Sequence, residues 1–417
     1  MSMKSSFDLR NVLYYKKVNL LDKQEENDMQ NFDFYSPTYF AFGKGKEQEV
    51  GKLVKRFGGT KVLLHYGGGS IKKNGAYDSV VASLNEAGIP FVELGGVKPN
   101  PRSGLVYEGI ELCHKEGVDF ILAVGGGSAI DSSKAIALGV PYEGDFWDFY
   151  ATDRQVTEAL PVGTVLTIAA AGSEGSGGSV ITNEESLLKW SAGGDAIRPR
   201  FSVLNPEFTC SLGAYQTACG ITDMMVHVME RYFTNTEEVE ITDRLCEGIM
   251  KSVISEAPKL MSDLQDYDAR SNMMWAGMVA HNNIAGVGRE QDWATHSLEH
   301  ELSAFYDCAH GAGLAVISPA WMKFVYKHDV NRFAQFAVRV WGCEMDFKNP
   351  EKTALEGIAR WEQFLCSIGM PLSFEEVGAK EEDIPMMVEH LSKRGGIGAF
   401  VRIMDEEADA IYRLAVK

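Results

Sequence analysis

Three of the chain's nine histidines, His296, His300 and His310, stand within "THSLEHELSAFYDCAHG", residues 295–311. Imidazole at this density suits two jobs, holding a divalent cation and moving a proton. Positions four apart on a helix share a face, so His296 and His300 look the same way. His310 cannot continue that stripe. "FYDCAHGAG" reads as a helix ending in a glycine-rich turn, and the turn must bring His310 back. Chance spacing of ordinary histidines is the competing explanation for this segment taken alone. A second stretch, "GITDMMVHVMERYF", sets Asp223 and His227 four apart on a largely apolar helix. A carboxylate and an imidazole buried there are costly without a partner, and a divalent cation satisfies both. Asp223, His227, His296 and His310 then form a set of one oxygen and three nitrogens. Such a set suits Zn2+ or Fe2+ and does not choose between them. His300, one turn from a ligand, is left to relay a proton at the reacting oxygen. Asp292, a turn before His296, is either an orienting acceptor for it or an exposed acid at a helix start. Cys308 reads as a small buried side chain rather than a ligand.

Two glycine-rich loops offer a place for a phosphorylated ligand. "AVGGGSAIDSSKAIA" sets Gly125, Gly126, Gly127 and Ser128 between a buried strand and a helix. Glycines let backbone amides approach an anion, and the helix that follows presents free N–H groups and the positive end of its dipole. Ser128 is expected to cap that helix, with Asp131 as the reciprocal partner. "LLHYGGGSIKKNG" holds a second loop, Gly67, Gly68, Gly69 and Ser70, with Lys72 and Lys73 behind it. Sheets that select NAD(H) often end such a strand in an acid that grips the ribose hydroxyls. None is present here, and the lysines would accept a 2′-phosphate, so NADP(H) is expected in preference to NAD(H).

The elements that must position these residues change character along the chain. Up to about residue 205, apolar runs such as "KVLLHYGGGS", "VDFILAVGGGSAIDSSKAIALGV" and "FSVLNPEFTC" alternate with helical patterns. That alternation implies an α/β domain with a mainly parallel sheet. From residue 206 to 417 the periodicity is helical throughout. The expected division is an N-terminal extension (1–30), a dinucleotide-binding α/β domain (31–205) and an all-helical metal-binding domain (206–417). A cleft between the two domains is the natural ligand site.

Bulk properties exclude other classes. With 417 residues, 45% hydrophobic and 24% charged, the composition is that of a globular protein of more than one domain. A net charge of −18 with no basic stripe argues against nucleic acid as a partner. No apolar run is long enough to span a membrane. Seven cysteines, an odd number with no C-x2-C pair, point to a reducing cytoplasm.

Together with "GVKPNPR", these blocks stand in an order that resembles the iron-containing, group III alcohol dehydrogenase family. The likeness is to its NADP(H)-dependent butanol dehydrogenase and broad-range aldehyde reductase branch, and it runs from about Asn31 onward. It implies a dehydroquinate synthase-like fold and a homodimer. It also implies reversible hydride transfer between NADP(H) and a primary alcohol or aldehyde such as butanol or butyraldehyde. The metal would be held by Asp223, His227, His296 and His310, with His300 beside the nicotinamide. Gly126, Gly127 and Ser128, supported by Asp131, would contact the pyrophosphate. Gly67, Gly68, Gly69 and Ser70 would form the 2′-phosphate loop. Thr167 and the Gly172, Ser173, Glu174 segment belong to a further cofactor loop, and Lys189 aligns with a lysine near the cofactor. Ile168 and Ala171 depart from the commoner threonines, and Asn205 replaces the usual aspartate. Trp147 and Trp293 are candidates for lining the substrate slot or for core packing. A metal-dependent lyase of the dehydroquinate synthase kind would share the architecture but need more basic residues for a polyanionic substrate. A non-catalytic nucleotide-binding protein would not need the metal set.

Overall fold

The computed structural model describes residues 28–417, so the expected N-terminal extension lies almost wholly outside the described residues. Six parallel strands form one sheet in the order β1-β8-β5-β4-β2-β3. They are β1 (Tyr39–Phe42), β2 (Val62–Tyr66), β3 (Phe91–Leu94), β4 (Phe120–Gly125), β5 (Val162–Leu166) and β8 (Phe201–Leu204). The inner strands are buried end to end, as a parallel sheet covered on both faces requires. Alternation divides their side chains. Leu64 and Leu122 pack with Val54 and Leu84 on one face, and Leu63 and Ile121 pack with Val106 and Ile136 on the other.

Strand order places the ligand crevice. β3 lies outside β2 and β5 lies outside β4, so the winding reverses between β2 and β4, where Tyr66 stands opposite Val124. Both glycine-rich loops leave the carboxyl ends of these two neighbouring strands, at the switch point where open α/β sheets bind ligands. A short antiparallel hairpin, β6 (Gly178–Thr182) and β7 (Lys189–Gly193), stands apart from the sheet and was not expected from the sequence.

After residue 206 the described residues hold helices with no further strand of the sheet. Four helices matter for the site: α2 (Ala214–Tyr232), α3 (Tyr267–His281), α4 (Ala294–Tyr306) and α5 (His310–Val325). The glycine loop after β4 opens α1 (Gly127–Gly139). A shared apolar core holds the helical half together, with Met225, Leu298, Ile317 and Trp361 among its fully buried members.

The halves meet backbone to backbone. A Cβ at Gly220 of α2 would strike the carbonyl of Ala169, and one at Gly172 (φ +64°) would lie 2.5 Å from the carbonyl of Gly277 on α3. No side chain fits in that seam, which brings the loop after β5 directly onto α2 and α3. Asn205, at the junction, accepts from the Glu207 N–H at 3.1 Å and donates to Glu47 Oε2 at 3.0 Å. An aspartate there would repel Glu47, which accounts for the amide.

Candidate active site

A cleft of about 740 Å³ runs between the halves, from the glycine-rich loops to the histidines. Gly67, Gly68 and Ser70 line one end, with Gly126, Gly127, Ser128, Asp131, Thr167, Ser173 and Lys189 along the walls. A Cβ on Gly126 would meet Ile168 at 3.0 Å, so the backbone there lies bare against the next loop. The first-turn amides of α1 open into this space, a favourable seat for an anion. Gly69 and Lys72 are not at the cleft wall; Lys72 Nζ stands 4.7 Å from the Tyr77 ring centroid. The hydroxyls of Tyr66 and Tyr77 donate to Glu93, at 2.8 and 2.9 Å.

The expected cap on α1 is not made. The helix begins at Gly127 with Gly126 in the cap position, so Ser128 falls inside the first turn. Asp131 turns instead to the hairpin, accepting from Ser173 Oγ at 2.6 Å and from the Val180 N–H at 3.0 Å. Lys134, fully buried one turn later, completes this junction. Its Nζ donates to the carbonyls of Ser173, Ser176 and Gly178 at 2.7–2.9 Å. Burial lowers this ammonium to about 8, although Asp131 and Glu174 oppose the shift. Burial likewise raises Glu174 to about 7.

At the other end, α2 supplies Asp223 and His227, α4 supplies His296 and His300, and α5 begins at His310. The glycines after His310 lie inside α5 rather than in a turn. Gly311 admits the Cys219 backbone of α2, and the actual turn is residues 307–309. Ligand atoms of Asp223, His296 and His310 all lie within 4.8 Å of one another. Nε2 of His296 and Nε2 of His310 are each 3.8 Å from Asp223 Oδ1. His227 stands beside this trio and not within it. Its Nδ1 lies 2.9 Å from both Asp223 Oδ1 and the Asp223 carbonyl, and its ring is 4.4 Å from that of His296.

His296 Nε2 is buried without a hydrogen-bond partner among the described residues, and Asp223 Oδ1, also buried, has only the close approach of His227 Nδ1. Burial pushes the Asp223 carboxyl up, but His227, His296 and His310 outweigh it and hold the group well below the usual carboxylate range. Burial alone would lower His296; Asp223 and Glu230 reverse that and raise it to about 9. The pair therefore attracts positive charge into a buried place, and that charge can be a metal cation as well as a proton.

His300 is also buried, with Nδ1 unpartnered among the described residues. Burial, then Lys189 and Arg394, hold it well below the usual histidine range, so the ring is neutral. Trp293 lines the cleft, whereas Trp147 stacks on Tyr150 away from it. Asp292 is buried, not exposed, and accepts from the Ala399 and Phe400 N–H groups at 2.8 Å rather than from His296.

Sequence reasoning missed several groups. Glu230 and Glu299 hold the Nδ1 atoms of His296 and His310. His281 places its ring 4.2 Å from His227 and takes a hydrogen bond from Arg231. The spacing of Glu230, three residues after His227, was the available signal; the others read as ordinary helix residues.

A cleft with a phosphate seat at one end and a carboxylate–imidazole cluster at the other can hold a dinucleotide against a cation. Known proteins resemble the chain over both halves. Residues 37–206 match the iron-containing alcohol dehydrogenase family, and residues 217–416 match the C-terminal part of the Fe-containing alcohol dehydrogenase family. The probable NADH-dependent butanol dehydrogenase 2 of Bacillus subtilis is 43% identical, with 93% of this chain and 100% of that protein covered. The NADPH-dependent aldehyde reductase YqhD of Escherichia coli is 36% identical, with 88% and 94% covered. The crystal structure of NADH-dependent butanol dehydrogenase A from Thermotoga maritima superposes with a TM-score of 0.91 at 40% identity, covering 94% of this chain and 100% of that one. Matched over both halves, the chain belongs to the iron-containing alcohol dehydrogenase family.

Proposed function

We propose that the protein reversibly interconverts a primary alcohol and its aldehyde, of the butanol and butyraldehyde class, with a nicotinamide dinucleotide and one divalent cation, Fe2+ or Zn2+. The observation that carries this reading is the convergence of ligand atoms of Asp223, His296 and His310 within 4.8 Å of one another, with His296 Nε2 buried and unpartnered among the described residues, on the same cleft as the glycine-rich loops. Asp223, His227, His296 and His310 are the proposed ligands. When bound, the cation polarises the substrate oxygen and the nicotinamide gives or takes the hydride.

The chain's own residues do the rest. Gly126, Gly127 and Ser128 seat the pyrophosphate at the start of α1, and Thr167, Ser173 and Lys189 line the path from there to the histidines. Asp131 and Lys134 lock the loop that carries Ser173. His300 moves the proton: a neutral imidazole donates from one nitrogen and accepts at the other without holding full charge beside Lys189 and Arg394. Trp293 and His281 close the wall around the reacting carbon and exclude water.

For the coenzyme we propose NADP(H) in preference to NAD(H), with Gly67, Gly68, Gly69 and Ser70 around the 2′-phosphate and Lys72 reaching it from behind. Relatives of both kinds are similar to this chain, being named NADH-dependent or NADPH-dependent. A cytoplasmic homodimer completes the reading. All seven cysteines are free thiols, and no helix of the described residues is long and apolar enough to cross a membrane. The test is one assay: butyraldehyde with NADPH or NADH, protein loaded with Fe2+ or Zn2+, following loss of reduced-nicotinamide absorbance. Metal-dependent oxidation of NADPH confirms the reading; no turnover with either coenzyme in either metal form overturns it.

A further inference from the structure

His310 is held differently from the other imidazoles of the cluster. Its side chain is a quarter exposed, against 6–7% for His227 and His296. It opens α5 straight after a turn, and most of what restrains it comes from outside α5. Glu299 on α4 accepts from His310 Nδ1. Lys189 of β7, on the sheet-bearing half, stands 3.5 Å from the same Glu299 oxygen. The Lys189 ammonium also donates to Ser303 Oγ at 2.8 Å and to Asn100 Oδ1 at 2.9 Å. Asn100 in turn donates to Asp307 Oδ1 at 3.1 Å and to the Cys308 carbonyl at 3.2 Å, gripping the turn that precedes His310.

The Glu299 carboxylate is completely enclosed, and its Oε1 has no hydrogen-bond partner among the described residues. A charge buried on so few contacts is a poor source of stability. Space has nonetheless been left for it: a Cβ on Gly313 would lie 2.6 Å from Glu299 Oε1. With Nδ1 engaged, the ring nitrogen that His310 can offer is Nε2, which stands 3.8 Å from Asp223 Oδ1. A carboxylate behind a ligand imidazole fixes its ring orientation and tautomer.

We propose that Glu299, anchored by Lys189, is a positioning residue that aims His310 Nε2 at the Asp223–His296 pair, so that the sheet-bearing half sets how firmly the helical half retains its cation. The inference rests on the metal reading above.

The test measures cation retention rather than turnover. Wild type, Glu299→Gln, Glu299→Ala, Lys189→Met, Gly313→Ala and Glu301→Gln are loaded with Zn2+ and the ion's release to excess chelator is timed. The visible spectrum of each Co2+-loaded protein is recorded alongside. Glu301 is the control, a neighbouring buried carboxylate paired with Arg394 at 3.2 Å. The two Glu299 variants should lose Zn2+ roughly 10- to 100-fold faster with altered Co2+ bands, as removal of such a partner generally does. Lys189→Met and Gly313→Ala should shift both readouts the same way, and Glu301→Gln should shift neither. Should Glu299→Ala not fold, Glu299→Gln keeps the volume and carries the test. Wild-type release and spectrum in Glu299→Gln overturns the inference, as does equal loss in Glu301→Gln. Wild-type protein that takes up neither ion sinks the metal reading, and this inference with it.

Discussion

Glu230 and His296 are joined twice: one carboxylate oxygen, Oε1, accepts from both the backbone N–H and the ring Nδ1 of His296, each at 2.9 Å. A single side chain of α2 therefore sets where α4 begins and which way its first imidazole faces. Glu230→Ala is expected to weaken cation binding roughly 10- to 100-fold and to lower the unfolding temperature of the metal-free protein as well. Elemental analysis after dialysis and a thermal melt check both. Unchanged metal content would mean that His296 needs no such support.

His296 and His300 should separate metal binding from proton transfer. His296→Ala is expected to lose cation and turnover together. His300→Ala should keep its cation and its affinity for dinucleotide yet lose roughly 100-fold or more in kcat. Metal content, dinucleotide titration and steady-state rates on the same preparations decide it. A His300→Ala enzyme with undiminished kcat would retire the proton-relay role.

Glu174 should make stability depend on pH in a defined direction. The unfolded chain releases this proton near 4.5, whereas burial holds it in the folded state up to about 7. Between those values the folded protein binds the extra proton, so the destabilising contribution grows as pH rises and is complete above about 7. Glu174→Gln removes the titration. Its stability advantage over the parent should therefore increase from pH 4.5 to 7, up to about 3 kcal/mol by linkage. Urea unfolding of both proteins across that range measures it, and a difference that is flat or shrinks with pH contradicts it.

Coenzyme choice is expected to hinge on Lys72. Lys72→Ala should lower kcat/KM for NADPH by roughly 10-fold, the worth of one charge-assisted contact, and leave NADH nearly unaffected. An equal fall for both coenzymes would place the lysine's role in folding the loop rather than in meeting a phosphate.

Much of this arrangement was legible because it is periodic or local. Apolar runs ending in glycine marked β2 and β4, and the i, i+4 pairs put Asp223 with His227 and His296 with His300 on shared helix faces. Groups that act across the fold were not legible. Glu299 belongs to the quoted segment, yet a glutamate between two histidines looks like a solvated helix residue until Lys189 arrives from a distant strand. Asn100 appeared only as part of "GVKPNPR", and its grip on the 307–309 turn spans more than 200 residues of chain. Ser128 misled for a simpler reason: the helix starts two residues earlier than a serine cap requires, because bare glycine backbone is what the adjoining loop admits there.

The side-chain-free seam at Gly172 and Gly220 bears on protein engineering. Recombinant hybrids that fuse the sheet-bearing half of one relative to the helical half of another have an obvious splice point near Gly213. They should assemble only when the parent of the sheet-bearing half supplies glycine at position 172 and the parent of the helical half supplies it at position 220, because a single methyl group there would wedge the halves apart. Parent pairs for shuffling can be chosen on that criterion before sequence identity is considered.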